Sequence, residues 1–269
     1  NYYEIGQELI ASDFDYFAGG GLKKTTGADG DKTDLYQLAE EAGYKVIKTQ
    51  AEAESLTAED GNGINGTLAG LEKMYKMGIR LISITWNHEN CLGYPNSFDP
   101  EKMALPLKPF GCEMIDAMNR MGIIADVSHL SDGGFWDVVK HSSKPFVASH
   151  SNARELCPVM RNLTDDMLRA VADKGGMVGL NYAADFLVDK TRYTYCADIA
   201  RHARYMADKA GVDIVALGSD FDGIGGKLEM DDCSKLPLLA EALRKEGFTE
   251  DEVERIFYRN AQRFFEENL

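Results

Sequence analysis

Long hydrophobic runs are missing from this 269-residue chain. No apolar stretch approaches the roughly 20 residues that a membrane-spanning helix needs. Basic charge is also scarce: 29 Lys and Arg stand against 44 Asp and Glu, for a formal net charge of −15. That balance argues against nucleic acid or an anionic membrane as partner, because both attract basic surfaces; it is compatible with holding a cation. Cysteine is sparse and unpatterned. Cys91, Cys112, Cys157, Cys196 and Cys233 show no CxxC spacing, and an odd count does not suggest a disulfide framework. Scattered free thiols favour the cytoplasm, with a secreted or periplasmic location left open. No signal peptide is visible, and a start at Asn1 rather than Met leaves a trimmed start open.

What the chain does have is apolar material for a large core, 44% of its residues, arranged in alternating patterns. From about residue 67 onward, segments with helical spacing take turns with short Val- and Ile-rich runs. Helices are predicted over residues 67–77, 110–121, 133–141, 164–174, 196–210, 236–246 and 249–268. Strands are predicted over 79–85, 123–127, 145–148, 177–181 and 214–218. Glycines placed directly after helices strengthen the pattern. Regular alternation implies a parallel sheet covered by helices, and one α/β barrel would use this length in full.

The chemistry sits at the ends of the apolar runs. Ile-Ile-Ala-Asp-Val-Ser-His129 and Pro-Phe-Val-Ala-Ser-His150 each finish on a histidine, and Ile-Val-Ala-Leu-Gly-Ser-Asp220-Phe-Asp222 finishes on carboxylates. In α/β folds the C-terminal ends of parallel strands carry the functional groups. His129 and His150 lie 21 residues apart, one βα unit, so they belong at adjacent strand ends facing one pocket. A single strand-end histidine is usually structural; two in register suggest a metal, which imidazole and carboxylate groups hold when they converge from separate elements. His141 and His202 fall within helical segments, where packing or surface roles are the ordinary reading.

Six ordered motifs then match a family. They are Leu-Thr-Ala-Glu59-Asp-Gly, Gly78-Ile-Arg-Leu-Ile-Ser-Ile-Thr-Trp-Asn, Met118-Asn-Arg-Met-Gly-Ile-Ile-Ala-Asp-Val-Ser-His129, Ala148-Ser-His150-Ser-Asn-Ala-Arg, Arg161-Asn-Leu-Thr-Asp and Gly218-Ser-Asp220-Phe-Asp-Gly. From about residue 56 to the end, the chain resembles the renal (membrane) dipeptidase family of zinc hydrolases. The resemblance implies a (β/α)8 TIM-like barrel, an α/β fold, with two zinc ions bridged by one glutamate. Carried onto this sequence, Glu59 is the bridging carboxylate, and His129 and His150 are ligands of the second zinc. Arg161 is the cation for the substrate's carboxylate, and Asp220 is the catalytic, proton-handling aspartate. The family's substrate-contacting histidine aligns with Trp86, with His88 two residues on. The implied reaction is zinc-dependent hydrolysis of dipeptides by a metal-activated water, and a homodimer is left open.

The resemblance has a gap. The family's first strand carries a His-x-Asp motif that supplies further zinc ligands, whereas no histidine here precedes His88. Asp13 and Asp15 could imitate half of that motif at most. Residues 1–55 instead resemble an internal stretch of alkaline phosphatases: Asn1-Tyr-Tyr-Glu-Ile-Gly, the run from Ala11 to Gly21, and Asp34-Leu-Tyr-Gln-Leu-Ala-Glu-Glu-Ala-Gly-Tyr44. That stretch brings no phosphatase nucleophile. Its glycines at 19–21 lack phosphate-loop spacing and read as a turn. The segment is predicted as a βαβ unit, with a strand over 13–21, a helix over 33–42 and a strand over 44–49. The predicted organisation is therefore 1–55, atypical, and 56–269, dipeptidase-like. Two functions stand: a zinc dipeptidase with one or two zinc ions, and a catalytically silent metal-binding homologue.

Overall fold

The computed structural model describes residues 2–11, 25–26, 29–41, 59–188 and 193–269. Two compact units make up the chain, Asn1–Glu54 and Ser55–Leu269.

In the first unit, α1 (Tyr2–Ala11) packs with α2 (Leu35–Glu41). Asp34 starts α2 as a cap: Oδ1 accepts the Tyr36 N–H at 2.8 Å, and Oδ2 accepts the Thr25 hydroxyl at 2.7 Å. A capping side chain satisfies one of the amide donors that a helix N-terminus leaves open. Tyr3 is buried and donates its hydroxyl to Thr33 O at 2.8 Å. The helix predicted over 33–42 is α2, whereas α1 was absent from the predicted βαβ unit. The strands predicted at 13–21 and 44–49 lie outside the described residues.

The second unit is α/β. A five-stranded sheet runs β1 (Leu81–Ser83), β2 (Ile124–Asp126), β3 (Val147–Ala148), β4 (Met177–Leu180) and β6 (Val215–Leu217), every neighbouring pair parallel. Sheet order follows chain order, as in successive staves of a barrel wall. A two-stranded parallel pair, β5 (Tyr193–Thr194) with β7 (Lys227–Leu228), stands apart. Helix α3 (Leu68–Lys76) precedes β1, and between strands lie α4 (Pro100–Met103), α5 (Pro109–Met121), α6 (Asp132–His141), α7 (Asp165–Asp173), α8 (Ala184–Leu187) and α9 (Cys196–Ala210). After β6 come α10 (Leu236–Lys245), α11 (Glu250–Glu254) and α12 (Asn260–Asn268). Among the described residues, no helix is long and apolar enough to cross a membrane.

Local chemistry explains the boundaries. Thr67, Ser131 and Thr164 cap α3, α6 and α7 by accepting the amides of Gly70, Gly134 and Met167. Gly122, at φ 70°, ends α5 in the left-handed conformation that L side chains disfavour. The strands are buried along nearly their whole length, which is why they read as continuous apolar runs. Phe135, Phe146 and Leu168 fill the space between the sheet and its helices; full burial of one such side chain contributes about 1.5–3 kcal/mol.

The sequence predicts one continuous helix over 249–268. The structure divides it by a π-helical turn at Arg255–Arg259. The side-chain Nδ2 of Asn260, just past that turn, donates to Val212 O and Val215 O, both at 2.8 Å. Those bonds hold the helix against the start of β6.

Two glycines set how closely the strands approach at the functional end. A Cβ on Gly179 or Gly218 would overlap the carbonyl oxygen of Ser149. Gly179→Ala is therefore expected to destabilise the fold by about 1–3 kcal/mol, the usual cost of overpacking. Urea unfolding checks this, and a wild-type midpoint for the variant would refute it.

Candidate metal centre

Parallel strands deliver their C-terminal ends to one edge of the sheet, and the predicted site residues lie there. His129 follows β2 by three residues, His150 follows β3 by two, and Asp220 follows β6 by three. Two of these positions are strained: His129 has φ 69° and Asp220 φ 64°, conformations that need local support. For His129 the support is Asn96, whose backbone N–H and side-chain amide donate to the His129 carbonyl at 2.6 and 3.1 Å. For Asp220 it is a tight turn in which the amides of Gly223 and Ile224 both donate to the Asp220 carbonyl, each at 3.1 Å.

Glu59, His129 and His150 come together, their ligand atoms all within 4.8 Å of one another. The two Nε2 atoms are 3.0 Å apart, and Glu59 Oε1 lies 3.5 Å from His129 Nε2 and 3.7 Å from His150 Nε2. Hydrogen-bond partners assign the imidazole protons. His129 Nδ1 faces Asn87 Oδ1 at 3.0 Å, and a carbonyl oxygen only accepts, so Nδ1 carries the proton. Beside His150 Nδ1, at 2.7 Å, is the Ser149 hydroxyl, whose own proton goes to Asp126 Oδ2 at 2.6 Å; Nδ1 is again the donor. Both Nε2 lone pairs therefore face inward.

Electrostatics agree. Burial, foremost, holds both imidazoles below their ordinary pKa, with the Arg161 charge adding to the effect, so they are neutral at pH 7. A hydrogen bond with His129, foremost, and the charge that His150 and His129 carry when protonated hold the Glu59 carboxyl below its usual range against the effect of burial. In the tautomers that Asn87 and Ser149 select, two neutral nitrogen lone pairs and a carboxylate oxygen converge. Such a cluster is repulsive unless a cation occupies it, and its N, N, O donor set suits a borderline ion such as zinc.

Arg161 is buried, only 7% exposed. Its Nη1 donates to Ser151 Oγ at 2.9 Å, while Nε and Nη2 have no hydrogen-bond partner among the described residues. Burial lowers its pKa to about 10, which still leaves the guanidinium charged at neutral pH. It lines a cleft together with His129, Ser151 and Asn96. Two buried donors without acceptors are costly and mark a place for a ligand's oxygens. Asp220 is half-buried and accepts Asn181 Nδ2 at 2.9 Å. Burial raises its carboxyl above the usual range, although His150, Asn181 and Arg161 each pull it down.

Trp86 and His88 sit on the exposed loop after β1, ring edge to ring face at 6.0 Å, outside the Glu59 cluster. The residue between them, Asn87, is the one that reaches His129. Asp222 is exposed. His202 is buried in α9, accepting the Ala153 N–H at 3.1 Å and donating to Leu187 O at 2.9 Å, a packing role. Asn87, Asp126, Ser149 and Asn181 were not foreseen from sequence. Asp126 could have been, because a carboxylate at the end of a buried strand needs an unusual reason to be there.

The comparisons with known proteins fit this geometry. The model of the membrane dipeptidase family, peptidase family M19, matches residues 34–268. Its match thus begins ahead of the boundary expected at residue 56. A protein of Klebsiella pneumoniae, described as an uncharacterized protein in the pqqA 5' region, is 38% identical over 211 residues, covering 75% of this chain and 77% of that one. A metallopeptidase of Rhodobacter sphaeroides, crystallised with a phosphinate mimic of the dipeptide L-Ala-D-Ala, superposes with a TM-score of 0.76 at 30% identity, over 87% of this chain and 72% of its own. A dipeptidase of metallopeptidase family M19 does so with a TM-score of 0.75 at 31% identity, over 87% and 75%.

If the cluster holds a metal ion, His150→Ala should abolish tight retention of zinc. Elemental analysis after dialysis against metal-free buffer checks this. Equal zinc in wild type and variant would place the ion elsewhere.

Proposed function

The chain belongs to the membrane dipeptidase family of metallopeptidases, and from that premise we propose that it is a zinc-dependent dipeptidase. One observation carries the proposal. Three cation-seeking donors, Glu59, His129 and His150, converge at the same strand ends as a buried guanidinium with two unused donors. The first group suits a metal and the second suits a carboxylate. A dipeptide offers a scissile carbonyl close to a free carboxylate, and the Rhodobacter relative was crystallised with a dipeptide mimic.

In this proposal Glu59, His129 and His150 hold the zinc. Bound there, zinc would polarise a peptide carbonyl and lower the pKa of a water. Arg161 turns Nε and Nη2 toward the substrate's carboxylate, a bidentate grip that guanidinium geometry allows. Asp220, steadied by Asn181, accepts the proton of the attacking water and returns it to the leaving amine. Its raised pKa moves the acid limb of the rate profile upward: the base is lost as pH falls through that value.

A second reading, a metal-binding homologue without turnover, draws on the missing His-x-Asp and on a cluster that has only three ligands among the described residues. Kinetics separate the two. The dipeptidase reading expects zinc-dependent cleavage of dipeptides, and Asp220→Asn should lower kcat about 10²–10⁴-fold with little change in KM. Arg161→Met should raise KM for a dipeptide while leaving the poorer rate on its C-terminal amide nearly unchanged. A zinc-loaded protein that cleaves no dipeptide would favour the silent homologue.

A further inference from the structure

Asp126 has no solvent contact, and its lone pairs are fully engaged. Oδ1 accepts the backbone amides of Ser128 at 3.0 Å and Ser149 at 2.9 Å. Oδ2 accepts the hydroxyls of Ser83 and Ser149, both at 2.6 Å. Four donors fill a carboxylate's acceptor sites, so Asp126 is closed to any metal. Among the described residues, the Ser149 hydroxyl carries that charge to an imidazole, for it also lies 2.7 Å from His150 Nδ1.

We propose that Asp126 is a positioning residue acting through Ser149, a buried carboxylate–hydroxyl–imidazole relay that fixes the His150 tautomer so that its Nε2 lone pair faces Glu59 and His129. The inference rests on the metal-centre reading above and deepens it. A serine hydroxyl has one proton. Its other possible acceptor, Ser128 Oγ, is uncharged and 3.3 Å away, so the proton goes to the charged, closer Asp126 oxygen. With its proton committed, Ser149 presents a lone pair to His150, and Nδ1 must donate. His150's backbone is held by the same group, since its N–H donates to Ser128 Oγ at 3.1 Å. Metal-binding imidazoles generally need an acceptor on the far nitrogen; here a serine stands between acceptor and carboxylate.

His129 is held differently, by the Asn87 amide on an exposed loop. The two imidazoles therefore differ in what steadies them. A charge stands behind His150 and a neutral, solvent-accessible amide behind His129.

Ser83 provides the internal control. It bonds the same oxygen of Asp126 over the same distance, yet no hydrogen bond joins it to His150. The test compares wild type, Ser149→Ala, Ser83→Ala and Asp126→Asn as full chains. Zinc affinity is measured by competition with a chromophoric chelator, and the His150 tautomer by ¹⁵N NMR of the metal-free protein. Ser149→Ala should lose about 10–100-fold in zinc affinity, the usual cost of removing such a partner, and should show a mixed His150 tautomer. Ser83→Ala should stay within about threefold of wild type, with the Nδ1–H form intact. Asp126→Asn, where it folds, can donate from its amide to Ser149 and reverse the relay, so Nε2 becomes the protonated nitrogen. Wild-type affinity and tautomer in Ser149→Ala would overturn the relay while leaving the metal centre standing, as would equal losses in Ser83→Ala and Ser149→Ala. Failure of wild type to bind zinc at all would overturn the metal centre and the relay together.

Discussion

A carboxylate buried without water must be surrounded by donors or it will not remain charged. Asp126 meets that demand by drawing in the ends of three adjacent strands: Ser83 from β1, Ser128 beyond β2 and Ser149 beyond β3. Burial alone would raise its pKa, but the nearby His150 and the hydroxyl bonds from Ser149 and Ser83 outweigh that and keep it below the ordinary range. The strand ends are thus tied to one anion, and the histidines that follow two of those strands inherit their positions from it. The strand ends that carry the two histidines are thereby held together.

Around that anchor the fold stores strain and close approaches at the same edge. His129 and Asp220 occupy left-handed backbone conformations, and Gly179 and Gly218 let two strands close on the Ser149 carbonyl. Arg161 is buried with one of its donor nitrogens bonded among the described residues. None of these features stabilises the fold, and several cost about 1–3 kcal/mol each. The apolar packing beneath the sheet offsets them. Concentration of such costs at one end of an otherwise well-packed unit is the usual mark of a site shaped for a ligand.

Much of this was legible in the chain. The αβ alternation located every strand of the main sheet to within a few residues, because fully buried parallel strands leave uninterrupted apolar runs such as Ile-Ile-Ala and Ile-Val-Ala-Leu. The convergence of His129 and His150 followed from their spacing of one βα unit, and Glu59 came only with the family resemblance. What stayed hidden depended on three dimensions. Asn87 reaches His129 from 42 positions away, and its neighbours Trp86 and His88, the more conspicuous residues, lie outside the cluster. The relay through Ser149 depends on which of two hydroxyl acceptors is nearer, which no pattern of residue types encodes. The π turn ahead of Asn260 was hidden because helical periodicity runs straight through it.

The central claim is that Glu59, His129 and His150 form a cation site, brought together by a buried anion that never touches the metal. Anomalous diffraction from crystals of the full chain grown with zinc, recorded on both sides of the zinc absorption edge, tests it most directly. The account predicts a zinc peak among these three residues, about 2.0–2.1 Å from each Nε2. Zinc bound elsewhere in the crystal, with no peak between His129 and His150, would contradict it.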